Sequence, residues 1–310
     1  MVGPVTGAAR PADGARERGT VLVTGCNGRI GTAVMARLSE RFEDVVGLDR
    51  NAPTPPPPRC TRIAADLGNE ASVEAALDAL RAHLGTEIAA VVHLAAYYDF
   101  LGQPSPLYDA ITVEGTRRVL RGLRSRCTVR QFIFSSTMLV HRPAEPGEFI
   151  NEDWPLGATW AYPESKVRTE GLLRAERDDV PLVLLRLAGV YDDGCHSPPL
   201  AHQMQRIYER QLAARLYSGE TSHGQAYVHL ADVVDAIERT IERRDRLPPE
   251  VAVLIAEAET LSYDELQHTF QRLLLGASEE TVTVPRPFAK LGAWLQNRLP
   301  GGNAFVRPWM

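Results

Sequence analysis

The chain has 310 residues, 44% of them hydrophobic and 24% charged, the profile of an ordinary folded protein long enough to bury a substantial core. A net charge of −5 gives no footprint for a nucleic-acid partner, and the four cysteines (Cys26, Cys60, Cys127, Cys195) are scattered without a CxxC pair, which argues against a metal site or a disulfide framework and suits a cytoplasmic protein in a reducing cytosol. No run approaches the ~18 apolar residues of a membrane span, so no membrane partner is expected.

Residues 1–19, rich in Gly, Ala, Pro and Arg, read as a flexible leader. A short β-branched run, Val21 to Thr24, then feeds a turn with glycines at 25, 28 and 31, and a helical pattern follows through Ile30, Val34, Met35 and Leu38. In such a turn Gly25 permits the tight bend, Gly28 lets the backbone approach a pyrophosphate, and Gly31 lets the helix pack on the strand, while the free amides at the helix start face the phosphates. A second strand, Asp44 to Leu48, ends in Asp49, where an acidic side chain would meet the ribose hydroxyls and repel a 2′-phosphate. NAD is therefore favoured; Arg50 and Arg29 keep NADP open. Pro53–Pro58 reads as a stiff loop at the adenosine end.

Alternation continues with a third strand, Arg62 to Ala65, followed by Asp66-Leu67, where an adenine would rest or Asp66 would cap a helix. A helix from Ser72 to Leu84 and an apolar strand from Ile88 to Leu94 come next, and Ala95-Ala96 beyond that strand are small enough to let a cofactor pass. Tyr97, Tyr98 and Phe100 lie in a loop that would line the substrate or cap the core. A helix from Leu107 to Arg124, a strand from Gln131 to Ser135, a helix from Trp160 to Arg177 and a strand from Leu182 to Leu187 complete an α/β pattern: a doubly wound parallel sheet. From Ala188 the texture changes to turn chemistry and a helix from about Leu200 to Leu212. Tyr227–Leu230, a helix from Asp232 and the strand Val251–Ala256 read as a return to the main sheet. The domain expectation is a dinucleotide-binding unit of 20–186 plus about 225–258, and a smaller, mostly helical substrate lobe of 187–224 plus 259–310, with helices at Tyr263–Leu275 and Phe288–Leu299.

The chemistry is carried by Tyr162-Pro163-Glu164-Ser165-Lys166, a phenol and an ammonium one helical turn apart, together with the strand-end Thr137. Hydride transfer at a carbinol carbon needs a base, and a tyrosine at its usual pKa of ~10 is too weakly ionised near neutrality, so Lys166 and a positive nicotinamide are expected to lower it. Lys166 would also hold the nicotinamide ribose, and Thr137 would donate to the substrate oxygen. The bland readings are a satisfied buried tyrosine, a surface lysine and a capping threonine.

Taken together, Thr-Gly-x-x-Gly-x-x-Gly at 24–31, Asp49, Asp66-Leu67, His93-Leu94-Ala95-Ala96, Gly115-Thr116, Phe132 through Thr137, Tyr162-x-x-x-Lys166, Leu185-Arg186 and Val228-His229-x-x-Asp232 resemble the extended short-chain dehydrogenase/reductase superfamily, in its NAD-dependent epimerase/dehydratase branch. The resemblance implies Thr137, Tyr162 and Lys166 as catalytic residues. Cofactor contacts would come from Gly25, Asn27, Gly28, Arg29, Ile30, Gly31, Asp49, Arg50, Asp66, Leu67, Leu94, Ala95 and Ala96, with Tyr162 and Lys166. It also implies a homodimer through the helices at about 107–124 and 160–177. Substrate contacts are assigned to Tyr97, Tyr98, Ser136, Thr137, His141 and Gln203, with His202, Gln205 and Arg206 nearby.

Departures narrow the reaction. Met138-Leu139 stand where sugar dehydratases of the family carry an acidic pair, and Leu187-Ala188-Gly189 replace the asparagine usual for a nucleotide-sugar diphosphate. His141 and Thr112 likewise replace the usual Tyr and Asn. The expected function is NAD(P)-dependent hydride transfer at a secondary alcohol of a sugar-like substrate, nucleotide sugars included, by an epimerase or an oxidoreductase. The alternatives are a dehydrogenase or reductase of a non-nucleotide small molecule (uronate-, steroid- or polyketide-like) and a non-catalytic dinucleotide sensor.

Overall fold

The structure, a computed structural model, describes residues 17–51, 60–99, 102–145, 147–218 and 220–285. The leader up to residue 16, the Pro53–Pro58 loop, Phe100 and the Phe288–Leu299 helix lie outside the described residues.

Twelve strands and seven α-helices are described. They alternate as β1 (Glu17–Thr24), α1 (Arg29–Arg41), β2 (Phe42–Asp49), β3 (Cys60–Ala64), α2 (Glu70–Leu84), β4 (Glu87–His93), α3 (Glu114–Arg126), β5 (Thr128–Val129), β6 (Phe132–Thr137), α4 (Ala161–Glu176), β7 (Leu182–Leu187), β8 (Gly189–Tyr191), α5 (Pro198–Tyr208), β9 (Leu216–Tyr217), β10 (Tyr227–His229), α6 (Leu230–Glu242), β11 (Glu250–Ile255), α7 (Tyr263–Leu275) and β12 (Val282–Thr283). The main sheet is parallel, in the order β3-β2-β1-β4-β6-β7-β11, with the short β5 also pairing β4. This is the doubly wound parallel sheet expected from the alternation, and its strand order reverses between β1 and β4, where such folds bind ligands.

Alternate residues of each strand serve two cores. Leu22, Val46, Val91, Phe132, Phe134, Leu182 and Leu184 pack with α2, α3 and α4, whereas Val21, Val23, Val45, Val92, Ile133, Val183 and Leu185 pack with α1 and α6. Both faces are covered, which is why β4, β6 and β7 read as near-continuous apolar runs. The helix ends follow local chemistry: the Asn69 side chain accepts the Ser72 N–H at 3.1 Å, and α7 opens with a reciprocal Ser262–Glu265 box and closes on left-handed Gly276. Arg37 on α1 reaches Asp235 and Glu238 on α6 at 2.8 Å each.

Three boundaries differ from the sequence expectation. β1 begins at Glu17, inside the expected leader, with Glu17 opposite Phe42 and in ion contact with Arg244. The helix expected from Leu107 opens instead as a π-turn, Tyr108–Val113, before α3. That wider turn lets the Thr112 hydroxyl accept the Tyr97 N–H at 2.9 Å, an irregularity characteristic of functional sites. The segment at Tyr227 does not rejoin the main sheet: β10 pairs with β8 in a separate two-stranded sheet, because both edges of β7 are already taken by β6 and β11. Among the described residues no helix is long and apolar enough to cross a membrane.

Candidate active site at the carboxyl ends of the central strands

The glycine turn has the form the sequence predicts. Gly25 sits at φ +70, its N–H donates to Leu48 O at 2.8 Å, and a Cβ there would meet Ala95 N at 2.9 Å. A Cβ on Gly31 would fall 2.2 Å from Gly25 O, so only glycine lets α1 start this close to the turn. Gly28 has an extended φ of −69, and its Cβ would meet one carbonyl oxygen at 3.2 Å. Neither backbone angle nor packing demands glycine there as strictly, which matches a position whose bareness serves an approaching ligand. The start of α1 has no side-chain cap and no acidic residue in its first turn, so this end fits an anionic pyrophosphate.

Asp49 closes β2 beside this turn. Its carboxylate accepts the Asn27 N–H at 3.0 Å and the Asn51 N–H at 3.3 Å, and Asn27 also donates to Asn51 O. Arg50 is exposed. Arg29 reaches across the turn to Asp192, in the loop after β8, at 2.7 Å; His196 pairs with the same carboxylate at 2.8 Å. Asp66 accepts the Gly68 N–H at 2.9 Å in a local turn before α2. Leu67 is buried in the core, with its carbonyl accepting from Arg118 at 2.9 Å. Ile30, Leu94, Ala95 and Ala96 are partly buried, the first three packed against the two cores.

A hydrogen-bond chain runs from the end of β1 through β4 to α3 and the π-turn before it. Ala95 N–H donates to Thr24 Oγ1 at 3.2 Å, and Thr24 pairs with His93 Nδ1 at 2.9 Å. His93 Nε2 pairs with Thr116 Oγ1 at 2.9 Å, and Thr116 donates onward to Thr112 O at 2.6 Å. Because the Thr116 proton is spent on that carbonyl, His93 carries its proton on Nε2 and accepts from Thr24 at Nδ1. Burial, together with the nearby Lys166, pushes His93 down to about 3, so it stays neutral.

Helix α4 supplies the phenol and the ammonium. Tyr162 lies by the Thr137 hydroxyl, whose Oγ1 accepts the Leu139 N–H at 3.3 Å. Lys166 is buried and donates to Ser135 O at 2.8 Å, lying 4.7 Å over the Phe134 ring and 5.9 Å from the Tyr162 ring centre. Tyr98 meets Tyr162 edge-on at 4.9 Å, and Trp160 packs on its other side at 5.5 Å. Thr137, Tyr162 and Lys166 therefore converge, as the sequence predicts.

One electrostatic expectation is corrected. Burial, then the neighbouring phenols of Tyr98 and Tyr108, raise the Tyr162 pKa above its ordinary value, against a smaller lowering by the Thr137 hydrogen bond. Lys166 does not supply the lowering, because burial drops its own pKa from 10.5 to about 7, opposed only by Glu170.

The expected substrate contacts divide. Tyr98 is half exposed beside Tyr162, while Tyr97 packs edge-on against Tyr108 at 4.8 Å. Ser136, His141 and Gln203 are buried, and each has a partner inside the protein. The Ser136 hydroxyl donates to Glu170 at 2.6 Å, His141 pairs with Trp154 O and Arg186, and Gln203 donates to Gln267 at 2.9 Å. The sequence reading missed Glu170 and Arg186 as a pair. The signals were present: Glu170 continues the four-residue spacing of Tyr162 and Lys166, and Arg186 is the one charge in an otherwise aliphatic strand. Among the described residues no cluster of three or more His, Cys, Asp or Glu forms a metal site.

Comparison with known proteins places these features. The model of the NAD dependent epimerase/dehydratase family matches residues 21–256. A 3-beta-hydroxysteroid dehydrogenase of Mycolicibacterium neoaurum is 24% identical over 211 residues, covering 64% of this chain and 53% of that protein. A dihydroflavonol 4-reductase of Zea mays is 33% identical over 137 residues, 40% of this chain and 36% of that one. The chain thus matches about half, or less, of the length of these curated relatives. Among solved structures, MoeE5 in complex with UDP-glucose and NAD is 25% identical, with 86% of this chain and 85% of that one covered at a TM-score of 0.63. UDP-glucuronic acid 4-epimerase from Bacillus cereus, solved with UDP-glucuronic acid and NAD, shares the fold at 20% identity, 86% coverage of both chains and a TM-score of 0.68.

Proposed function

This chain belongs to the NAD-dependent epimerase/dehydratase family, and on that premise we propose that it moves hydride between NAD and a secondary alcohol of a sugar-like substrate, with Tyr162 as acid/base, Thr137 as hydroxyl donor to the substrate oxygen and Lys166 as the group that holds the nicotinamide ribose. The observation that carries this reading is the meeting of Thr137, Tyr162 and Lys166 at the carboxyl end of β6, in the same parallel sheet whose β1 ends in the glycine turn.

The chain's own residues divide the work. The start of α1 and Gly28 cradle the pyrophosphate, and Asp49 meets the adenosine ribose. Thr137 orients the reacting oxygen toward the Tyr162 hydroxyl, and Tyr98 and Trp160 keep water from that phenol. When bound, NAD+ would supply the hydride acceptor and a positive charge that would lower the Tyr162 pKa, which burial raises. Lys166, near half-ionised at about pH 7, holds its ribose partner most firmly on the acid side of that value. Met138 and Leu139 offer no acid/base pair for eliminating water, which supports epimerisation or simple redox over dehydration.

Epimerisation and net oxidation are separated by one assay. The purified chain is incubated with NAD and, in turn, UDP-glucose, UDP-glucuronate and a steroid 3β-alcohol. A dehydrogenase accumulates absorbance at the reduced-nicotinamide band, and an epimerase converts its substrate with no net change there. Absence of both NAD binding and turnover would refute the reading. The non-nucleotide alternative draws support from the exposed Leu139 and half-exposed Tyr98 beside the reactive phenol and from the steroid and flavonol relatives. A homodimer through α3 and α4 is carried forward with it. Sedimentation of the purified chain tests it: a dimer is expected, and a monomer at all concentrations would contradict it.

A further inference from the structure

Tyr162, Lys166 and Glu170 recur at four-residue spacing on α4, and each faces one of three consecutive residues of β6: Tyr162 lies by the Thr137 hydroxyl, Lys166 donates to Ser135 O, and Glu170 accepts from Ser136 Oγ. Glu170 has no exposed surface. Arg186 of β7 holds it with Nε at 3.2 Å and Nη2 at 2.9 Å, and Arg174 lies at 3.4 Å. The same guanidinium donates to Glu152 O at 2.9 Å and to His141 Nε2 at 3.0 Å, leaving the His141 proton on Nδ1 for Trp154 O. The network therefore ties α4, β6, β7 and the loop after β6 into one unit. A buried ion pair is a weak source of stability, because desolvation offsets the attraction. Its place one turn from the reactive lysine gives it another use.

We propose that Glu170, clamped by Arg186 and Ser136, is the positioning residue of the reactive corner: one turn beyond Lys166, its carboxylate favours the ammonium form of that lysine and sets the register of α4 on β6, so that Tyr162 meets Thr137. The proposal rests on the functional reading of Lys166 given above. The groups facing Lys166 are His93 from β4, held neutral; Phe134 and the Ser135 carbonyl from β6; and Tyr162 and Glu170 from α4 itself. Glu170 is the one carboxylate among these, and with the Ser135 carbonyl and the Phe134 ring face it favours the charged amine against burial, which brings Lys166 down to about 7.

The chain suits a direct test, because only two of its 34 lysines and arginines are lysines, Lys166 and Lys290. The full chain, labelled with 13C at lysine Cε, gives two resonances to follow by NMR as pH is raised, with Lys290 as the internal reference. Glu170→Gln is expected to lower the Lys166 midpoint by about one pH unit or more. Since Glu170→Gln leaves Arg186 buried without its partner, the double variant Glu170→Gln/Arg186→Met serves as the second arm, and its midpoint is expected below that of wild type as well. Direction separates charge from mere loosening: a corner opened to water would raise Lys166 toward its ordinary 10.5. A midpoint in the double variant that stays put or rises overturns the proposal. Calorimetric titration of wild type with NAD is run alongside, so a failure of the functional reading shows as lost NAD affinity and is told apart from a failure of the Glu170 assignment.

Discussion

At the end of β6 Ser135 and Ser136 are each held by a side chain of α4, with Tyr162 beside Thr137, and Lys166, Glu170 and Arg186 are all buried. In the lobe of α5, β9, α7 and β12 the balance is reversed: Tyr208, Leu212 and Leu273 are 71%, 74% and 77% exposed, and Arg215 and Glu279 pair at the surface. Even there the interior is specific, with Gln203 donating to Gln267, Gln267 to Ala214 O at 2.6 Å, and Tyr217 stacked on Tyr263 at 3.7 Å. The difference teaches where a change is felt. In the corner each polar atom has a partner it cannot exchange for water, so one altered side chain leaves another unsatisfied. In the lobe most surface side chains trade a neighbour for solvent at little cost.

The sharpest way to break this contrast is Tyr162→Phe. It removes one hydroxyl, and hydride transfer should fall by about 10²–10⁴-fold while NAD affinity, read by calorimetry, stays near wild type. Gly31→Ala comes next. Its methyl would press on the Gly25 carbonyl oxygen, and thermal unfolding should show a loss of about 3 kcal/mol together with weakened NAD binding.

Lys166→Met sharpens the comparison by moving stability and activity in opposite directions. Because burial lowers Lys166 from 10.5 to about 7, the unfolded chain binds a proton that the folded chain has released between those values. Wild-type stability therefore gains, on the order of a few kcal/mol, as pH rises through that window. The variant should lose that rise and be the more stable protein at and below neutral pH, though inactive; denaturant melts at about pH 6 and pH 10 give the answer. Arg29→Ala cuts the exposed pair with Asp192 across the glycine turn. Stability should change by less than about 1 kcal/mol, and NAD dissociation measured by stopped flow should quicken a few-fold. In the lobe, Leu273→Gln should stay within about 0.5 kcal/mol of wild type.

The same contrast explains what the sequence could tell. Strands buried on both faces announce themselves as apolar runs, so β4, β6 and β7 were legible, and Gly25, Gly31, Thr137, Tyr162 and Lys166 followed from spacing because each answers to a fixed local geometry. The buried partners of Ser136 and His141 are not legible, because a polar residue near a strand-end threonine looks the same in sequence whatever it faces; Glu170 and Arg186, sixteen positions apart, meet them only in the fold. The sign of the Tyr162 shift was also illegible, since it depends on how much protein surrounds the phenol. The β10 segment carries a good strand signal, but pairing depends on which edges are free, and β11 arrives later in the chain to take the one beside β7.

The most direct test of the account is isotope tracing of the hydride. Wild type and Tyr162→Phe are incubated with NAD and substrates deuterated at the carbinol carbon, drawn from UDP-glucose, UDP-glucuronate and a steroid 3β-alcohol, and the nicotinamide is analysed by mass spectrometry after rapid quenching. The account predicts deuterium on the nicotinamide with wild type and almost none with the variant. Equal labelling by both proteins, or none by wild type although NAD binds, would contradict it.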